Sequence, residues 1–318
     1  MKIASTISLK GIPLRILLIA ISTIALMIVP FLPFPQYYLH VVIYIFMWAY
    51  LALAWNILHA YLGLFSLGQP AFFGIGAYFT YFLLTWFKIY PLFGIFIAAI
   101  ISLLFASFIG YVSFRFGLKG IFFCLASLAA PEILKDVFAA FPDITGGHLG
   151  ITMPLLESNL LTLLFTEKFP YYYFILILFI SSVIFLQKLK KTKYYWLAIR
   201  ENEEVAASVG INLMKYKMLA LLLSAFLTSL GGSFYLLYTG YICPETAFGF
   251  GTMMEIMVIG VVGGEHILGP LLGAIILVPA GEILRTTFGG TYYGAHMVIY
   301  GILLLLILKF KPTGLLGR

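Results

Sequence analysis

Charge is the scarcest property of this 318-residue chain, with Asp, Glu, Lys and Arg together making up only 10% of it. A water-soluble domain carries about 25%, because its surface has to face water. With 63% hydrophobic residues and a mean hydropathy of +1.07, the chain holds more apolar surface than one soluble core can hide. Lipid removes that difficulty. Cysteine is nearly absent too: Cys124 sits in an apolar run and Cys243 in a connector with Pro and Glu, which speaks against a disulfide framework. The phosphate-binding pattern GxxxxGK[ST] is missing, since the only Lys followed by Ser or Thr is Lys191, without upstream glycines. Any ATP-driven work therefore needs a partner. His40, His59, His148, His266 and His296 are scattered without metal-ligand spacing, and no HExxH or Ser-His-Asp set is visible. The net charge of +7 would suggest nucleic acid in a soluble protein. Here the basic residues lie between apolar runs, which points to membrane orientation and no nucleic-acid partner.

What is present is a succession of uninterrupted apolar runs, such as 16–27, 93–108 and 299–308. Membrane β-barrels alternate apolar and polar residues along each strand, and these runs do not, so helices are expected. A spanning helix needs ~20 mostly apolar residues. On that measure spans fall at 12–32, 37–58, 62–86, 92–114, 120–140, 171–187, 213–238, 250–264, 268–287 and 292–310, with a more polar outer loop at about 141–170. The expectation is an all-α polytopic membrane protein of about ten transmembrane helices, some broken, in one transmembrane domain over 1–318. Lys2, Lys10 and Arg15 before the first run imitate the start of a signal peptide. That run is too long for one and ends in FLPFPQ, so an uncleaved span is expected. With ten spans both termini share a side. If that side is the cytoplasm, fifteen Lys and Arg fall there, against Lys88, Lys135, Lys168 and Arg285 outside. The asymmetry obeys the positive-inside rule, and an odd span count destroys it.

Three segments carry more than span-forming composition. The stretch 62–78, LGLFSLGQPAFFGIGAY, crowds four glycines and Pro70 into one span. Glycine lets backbones approach closely and proline frees a carbonyl, so the segment is either tightly packed or broken beside a pathway. Ser66 and Gln69 add polar groups that need partners within the bilayer. Ser66, Gly68, Gln69, Gly74 and Gly76 are accordingly candidate pathway residues. The stretch 248–273 is Gly-rich and Pro-interrupted as well, with Glu255 inside its apolar run. Ionisable groups in membranes usually face a bundle interior or an aqueous cavity. If spans two to five and seven to ten are repeats, their odd offset makes an inverted repeat, a common transporter plan. Glu132 joins the pathway candidates, although Glu132, Asp136 and Glu282 suit salt bridges near span ends equally well.

The third segment is the cytoplasmic stretch at about 188–217. Trp196, Ile199, Glu203, Ala206, Ala207 and Gly210 recur at three- and four-residue spacing, as on one helical face. The small residues among them offer a surface on which another protein can seat closely. The alternative is a helix lying on lipid. Glu201, Glu203 and Glu204 disfavour an anionic leaflet, so protein docking is the expected role.

Six stretches, in chain order, resemble the LivM/LivH-type permeases of branched-chain amino acid ABC importers, closest to the LivM side. They are SLGQPAFFGIGAY at 66–78, GIFFCLASLAAPEILK at 120–135, ITGGHLGI at 144–151, AIRENEEVAASVGINLMKYKMLAL at 198–221, VGGEHILGPLLGA at 262–274 and KFKPTGLLG at 309–317. The resemblance implies a type II ABC importer-like fold in a prokaryotic cytoplasmic (inner) membrane, carrying leucine, isoleucine or valine. It implies a homologous permease subunit as partner and two ABC ATPase subunits on the cytoplasmic side, which hold the ATP and Mg. No cofactor is expected on this chain, and an extracytoplasmic substrate-binding protein would deliver the solute. The sequence EVAASVG at 204–210 is similar to the EAA-type loop on which such permeases seat their ATPases. Ile199, Arg200, Glu201, Glu204, Ala206, Ala207 and Gly210 are the implied coupling residues. Pro70 departs from the small residue that many relatives have there, and related permeases carry urea, short amides or other amino acids. A stand-alone ion-coupled secondary transporter using Glu255 or Glu132 is the competing class, and it would transport without any ATPase.

Overall fold

The computed structural model describes residues 35–154, 159 and 161–288, with scattered positions between 301 and 315. Among them the chain is almost wholly helical. The long helices are α1 (Gln36–Asn56), α2 (Gln69–Thr85), α3 (Pro91–Arg115) and α4 (Gly120–Ala140). After a connector come α6 (Phe169–Lys188), α9 (Leu213–Thr239), α11 (Phe250–Gly263) and α12 (Gly269–Phe288). Shorter helices lie at the ends: α5 (Pro142–Thr145), α7 (Lys190–Glu201), α8 (Glu203–Ser208) and α10 (Pro244–Phe248). Among the described residues five segments are long and apolar enough to cross a membrane: Gln36–Tyr61, Pro91–Arg115, Phe169–Lys188, Leu213–Thr239 and Pro244–Gly263. The chain is therefore a multi-pass α-helical membrane protein.

Burial separates the centre of the bundle from its rim. In the apolar window of Gln36–Tyr61, 83% of residues are buried, and in that of Leu213–Thr239 72%, against 33% for Pro91–Arg115 and 39% for Phe169–Lys188. The first pair is the core, and the second presents aromatic and aliphatic side chains outward, as a lipid-facing helix should. Helices α2 and α9 meet most closely. A Cβ added at Gly76 would fall on the backbone carbonyl of Ser229, and one added at Gly232 on the carbonyl of Phe73. Only glycine at both positions allows the two backbones to touch.

The helix ends gather into two groups. At one end Lys168 Nζ donates to the Gln36 carbonyl (3.4 Å) and the Leu92 amide to the Leu161 carbonyl (3.2 Å). At this same end β1 (Ile151–Thr152) pairs antiparallel with β2 (Tyr241–Ile242), a two-residue ribbon that the all-α expectation did not include. At the opposite end lie 56–64, the turn after α3, helices α7 and α8, and Glu265. The two connectors read from sequence, about 141–170 and 188–217, thus sit at opposite ends of the bundle.

Several expected boundaries move. The span at 62–86 does not begin at 62: Leu62 ends the preceding helix, residues 63–68 are irregular, and the next helix starts at Gln69 with Pro70 in its first turn. Proline is tolerated there because the first-turn amides have no intrahelical acceptor, so Pro70 opens the helix rather than breaking it. The preceding helix runs on past 58 through a π turn, Ile57–Tyr61. The expected span at 250–264 gains α10, joined through the extended Gly249. Pro131 lies inside α4 without ending it. The expected span at 12–32 falls outside the described residues, as does most of the one at 292–310.

Candidate functional site

Helices α7 and α8 form the best-defined polar structure at the basic end. Sequence spacing suggests one continuous helical face over 196–210, and the structure replaces it with two helices meeting at Asn202. Asn202 is extended, with φ −160° and ψ 112°, and its side-chain oxygen accepts the amides of Glu204 (2.9 Å) and Val205 (3.1 Å). An Asn that competes for backbone amides ends one helix and caps the next. Helix α8 then closes at Gly210, whose φ of +88° is a left-handed conformation that favours glycine. Asn212 starts α9 by accepting the Lys215 amide at 2.9 Å.

The break sorts the side chains into two sets. Trp196, Ile199 and Ala206 are buried against the bundle, with Trp196 Nε1 donating to the Tyr216 carbonyl at 2.9 Å. Glu201, Glu204, Ala207, Ser208 and Gly210 are exposed, as are Val205 (59%) and Val209 (72%). Ala206 therefore does not share the outward surface with Ala207 and Gly210, because a six-residue helix packed along one side has one inner position per turn. The outer surface is capped instead by two valines that the spacing did not single out. At the start of α7, Lys193 Nζ lies 4.5 Å over the Tyr61 ring, and burial pushes its amine below the ordinary lysine range.

Two ion-pair nodes fasten this segment to the bundle. Arg200 donates to the Ala60 carbonyl and pairs with Glu265 at 2.5 Å, and that hydrogen bond holds its guanidinium above the ordinary arginine value. Ala60 belongs to the π turn that ends the first helix, where carbonyls lack intrahelical donors and the helix dipole is negative. Glu265 follows Gly264, which caps α11. Asn56 Nδ2 also donates to the Gly264 carbonyl at 3.1 Å, so both helix ends converge on one junction. The Arg200 stem crosses Gly63, where an added Cβ would stand 2.8 Å from Arg200 Cγ and φ is +71°. At the second node Glu203 pairs with Lys217 at 2.5 Å and Lys119 at 3.5 Å. A groove lined by Leu62, Gly63, Leu64, Lys119 and the 199–204 segment runs between the nodes.

The membrane candidates divide differently. Gln69 is fully buried with its amide satisfied: Nε2 donates to Ser224 Oγ (2.8 Å), and Oε1 accepts from Thr228 Oγ1 (2.6 Å). Ser66 Oγ accepts the Gly68 amide at 3.3 Å, and its carbonyl accepts Trp55 Nε1 at 2.8 Å. Gly74 faces the Phe248 ring, Gly76 the Ser229 backbone, and Gly68 the Ser127 carbonyl. These five residues share one stretch packed against α9, α4 and α10. Glu132 stands apart on α4, half exposed and paired with Lys135 at 2.5 Å. Glu255 is buried in α11. Sequence reasoning missed Ser224, Thr228 and Ser233, which lie four and five residues apart on α9 among equally small neighbours. It also missed Glu265 and the two lysines around Glu203, since pairing between remote turns leaves no periodic trace.

A bundle of apolar helices with irregular, Gly-rich helix starts and a fastened polar segment at one end defines a membrane transport subunit. The chain belongs to the family described as branched-chain amino acid transport system / permease component, whose model matches residues 37–308. It is 27% identical over 296 aligned residues to the high-affinity branched-chain amino acid transport system permease protein LivM of Escherichia coli (strain K12), covering 84% of this chain and 67% of that protein. The LivM protein of Salmonella typhimurium is 26% identical over 297 residues with the same coverage. A LivH-named permease of Methanocaldococcus jannaschii is 29% identical over 206 residues, 61% of this chain and 63% of that one. No solved structure matches the chain.

Proposed function

We propose that this chain is the membrane-spanning subunit of an ABC importer that carries leucine, isoleucine and valine across the cytoplasmic (inner) membrane. ATP is hydrolysed on two ATPase subunits seated against the 188–217 segment. A homologous permease completes the passage, and an extracytoplasmic binding protein delivers solute to the 141–170 side. The single permease domain 1–318 holds ten spans with both termini in the cytoplasm, built as an inverted repeat. Glu132 and Glu255 are the polar groups proposed along the solute path. Ser66, Gly68, Gln69, Gly74 and Gly76 shape and hold the helix that flanks it.

The observation that carries this reading is the short helix Glu203–Ser208, which with the following Val209 exposes Val205, Ala207 and Val209 while its roots are tied into the bundle. An outward apolar patch on a fixed base suits a partner protein, and the chain has no P-loop of its own. Family membership and the names of the relatives support the solute class.

The test is copurification with the ATPase subunits combined with leucine uptake in cells. Ala207→Glu or Gly210→Arg is expected to release the ATPases and abolish uptake. Normal uptake in both variants would sink the docking role. Competition by isoleucine and valine, and not by urea or acetamide, is expected for the solute. Ion-driven transport in vesicles holding this chain alone would instead establish the secondary-transporter class.

A further inference from the structure

Arg200 and Glu203, at the junction of α7 and α8 in the proposed docking segment, point away from the docking surface. Arg200 has 15% of its side chain exposed and Glu203 19%, whereas Glu201 and Glu204 lie open. Both inward residues end on the ends of membrane helices or on the turns between them. Glu203 reaches Lys119, between α3 and α4, and Lys217, in the first turns of α9. Arg200 reaches the Ala60 carbonyl at the end of the first helix and Glu265 between α11 and α12.

Resting on the function proposed above, we infer that Arg200 is not a docking residue but a positioning residue, a latch through which movement of the α7–α8 segment passes to the two Gly-rich helix starts. The geometry assigns it this role for three reasons. Its guanidinium bonds the Ala60 carbonyl, three residues before the irregular loop 63–68, and Glu265 inside the irregular loop 264–268, so one head group reaches the approaches to both helix starts. A planar fork with several donors can hold a carbonyl and a carboxylate together, which an ammonium on the same stem does less well. Gly63 accommodates the crossing methylenes, so the stem is clamped as well as the head. Glu203 provides a second fixed point, and two fixed points turn a short helix into a lever. When a bound partner displaces α8, the Arg200 node drags the ends of the first helix, α11 and α12 together, since Asn56 already joins two of them.

The experiment uses the assembled importer, with Arg200→Ala, Glu265→Gln, their combination and Arg200→Lys. Three quantities are read: retention of the ATPase subunits, ATP hydrolysis, and leucine imported per ATP hydrolysed. The latch predicts that Arg200→Ala and Glu265→Gln keep their ATPase subunits but lose about tenfold in leucine per ATP, within the usual range of coupling between sites. The double variant should be no worse than the poorer single one, because the two residues act through one bond. Arg200→Lys, which keeps the charge, should fall between wild type and Arg200→Ala. It serves as the reading if Arg200→Ala does not assemble. Release of the ATPases by Glu265→Gln or Arg200→Lys would make Arg200 a docking group and overturn the latch while leaving the importer function standing. Unchanged leucine per ATP, or losses that multiply in the double variant, would overturn it too. Leucine uptake by the wild-type chain without any ATPase would remove the function itself, and the latch with it.

Discussion

Replacing Gly76 by Ala puts a methyl group where the carbonyl oxygen of Ser229 already lies. The obstacle is backbone, so no side chain can rotate away and helices α2 and α9 have to part. Overpacking of a close interface costs about 1–3 kcal/mol. Parting also stretches the bond from Ser233 Oγ to the Gly76 carbonyl (3.0 Å) and that from Thr80 Oγ1 to Ser233 Oγ (2.9 Å). Within a membrane such bonds are worth roughly 0.6 kcal/mol each. Against this stands a gain of up to about 1 kcal/mol for Ala over Gly in a helix. The net expectation is a loss of about 1–3 kcal/mol, read by reversible unfolding in mixed detergent micelles. Gly232→Ala collides with the Phe73 carbonyl on the same helix pair and should cost about as much. Once one methyl has separated the helices the second has less left to disturb, so the double variant should cost clearly less than the sum. Gly94→Ala is the control, since its nearest neighbour would be 3.9 Å away and it should be neutral or stabilising. Full additivity of the two glycine variants, or equal losses at Gly94, would refute the close-approach account.

The buried amide and the helix cap give two further expectations. Gln69→Leu removes two hydrogen bonds, yet Ser224 Oγ still donates to the Ala54 carbonyl (2.7 Å) and Thr228 Oγ1 to that of Ser224 (2.8 Å). The stability cost should therefore be only about 1 kcal/mol. A much larger fall in leucine uptake at that small cost would show that Gln69 meets the solute rather than merely packing. Asn202→Ala strips the cap from α8 and should cost about 1 kcal/mol of local helix stability. It would be seen as faster amide exchange at Glu204 and Val205, and as weaker ATPase retention at high salt.

Much of the fold is legible in the residues because membrane-spanning helices are written in uninterrupted composition. The runs at 92–114 and 213–238 become Pro91–Arg115 and Leu213–Thr239 almost unchanged. Boundaries fail where a helix starts irregularly, as at 63–68, because glycine-rich apolar sequence looks the same whether wound or unwound. The 196–210 segment is visible as amphipathic spacing, but its direction is not. Periodicity assumes one axis, and Asn202, a residue that caps as readily as it sits in a helix, introduces a second. Gln69 was legible as a group needing partners, and those partners were not, since Ser and Thr on α9 resemble any small-residue helix face until two helices are brought together. The Arg200 junction was hidden for a similar reason: Ala60, Glu265 and Arg200 are remote in sequence and meet only at helix ends.

The burial of Gln36–Tyr61 has a consequence for biogenesis. Asn56 finds its partner, the Gly264 carbonyl, 208 residues further along the chain. At ~5–20 residues per second of synthesis, that carbonyl emerges about 10–40 s after Asn56 does. For that interval the helix buried deepest among the described spans has lipid or an insertion factor where α11 and α12 will be. The order of synthesis therefore places the post before the walls, and a truncated chain ending before α11 should leave this helix exposed to rapid proteolysis.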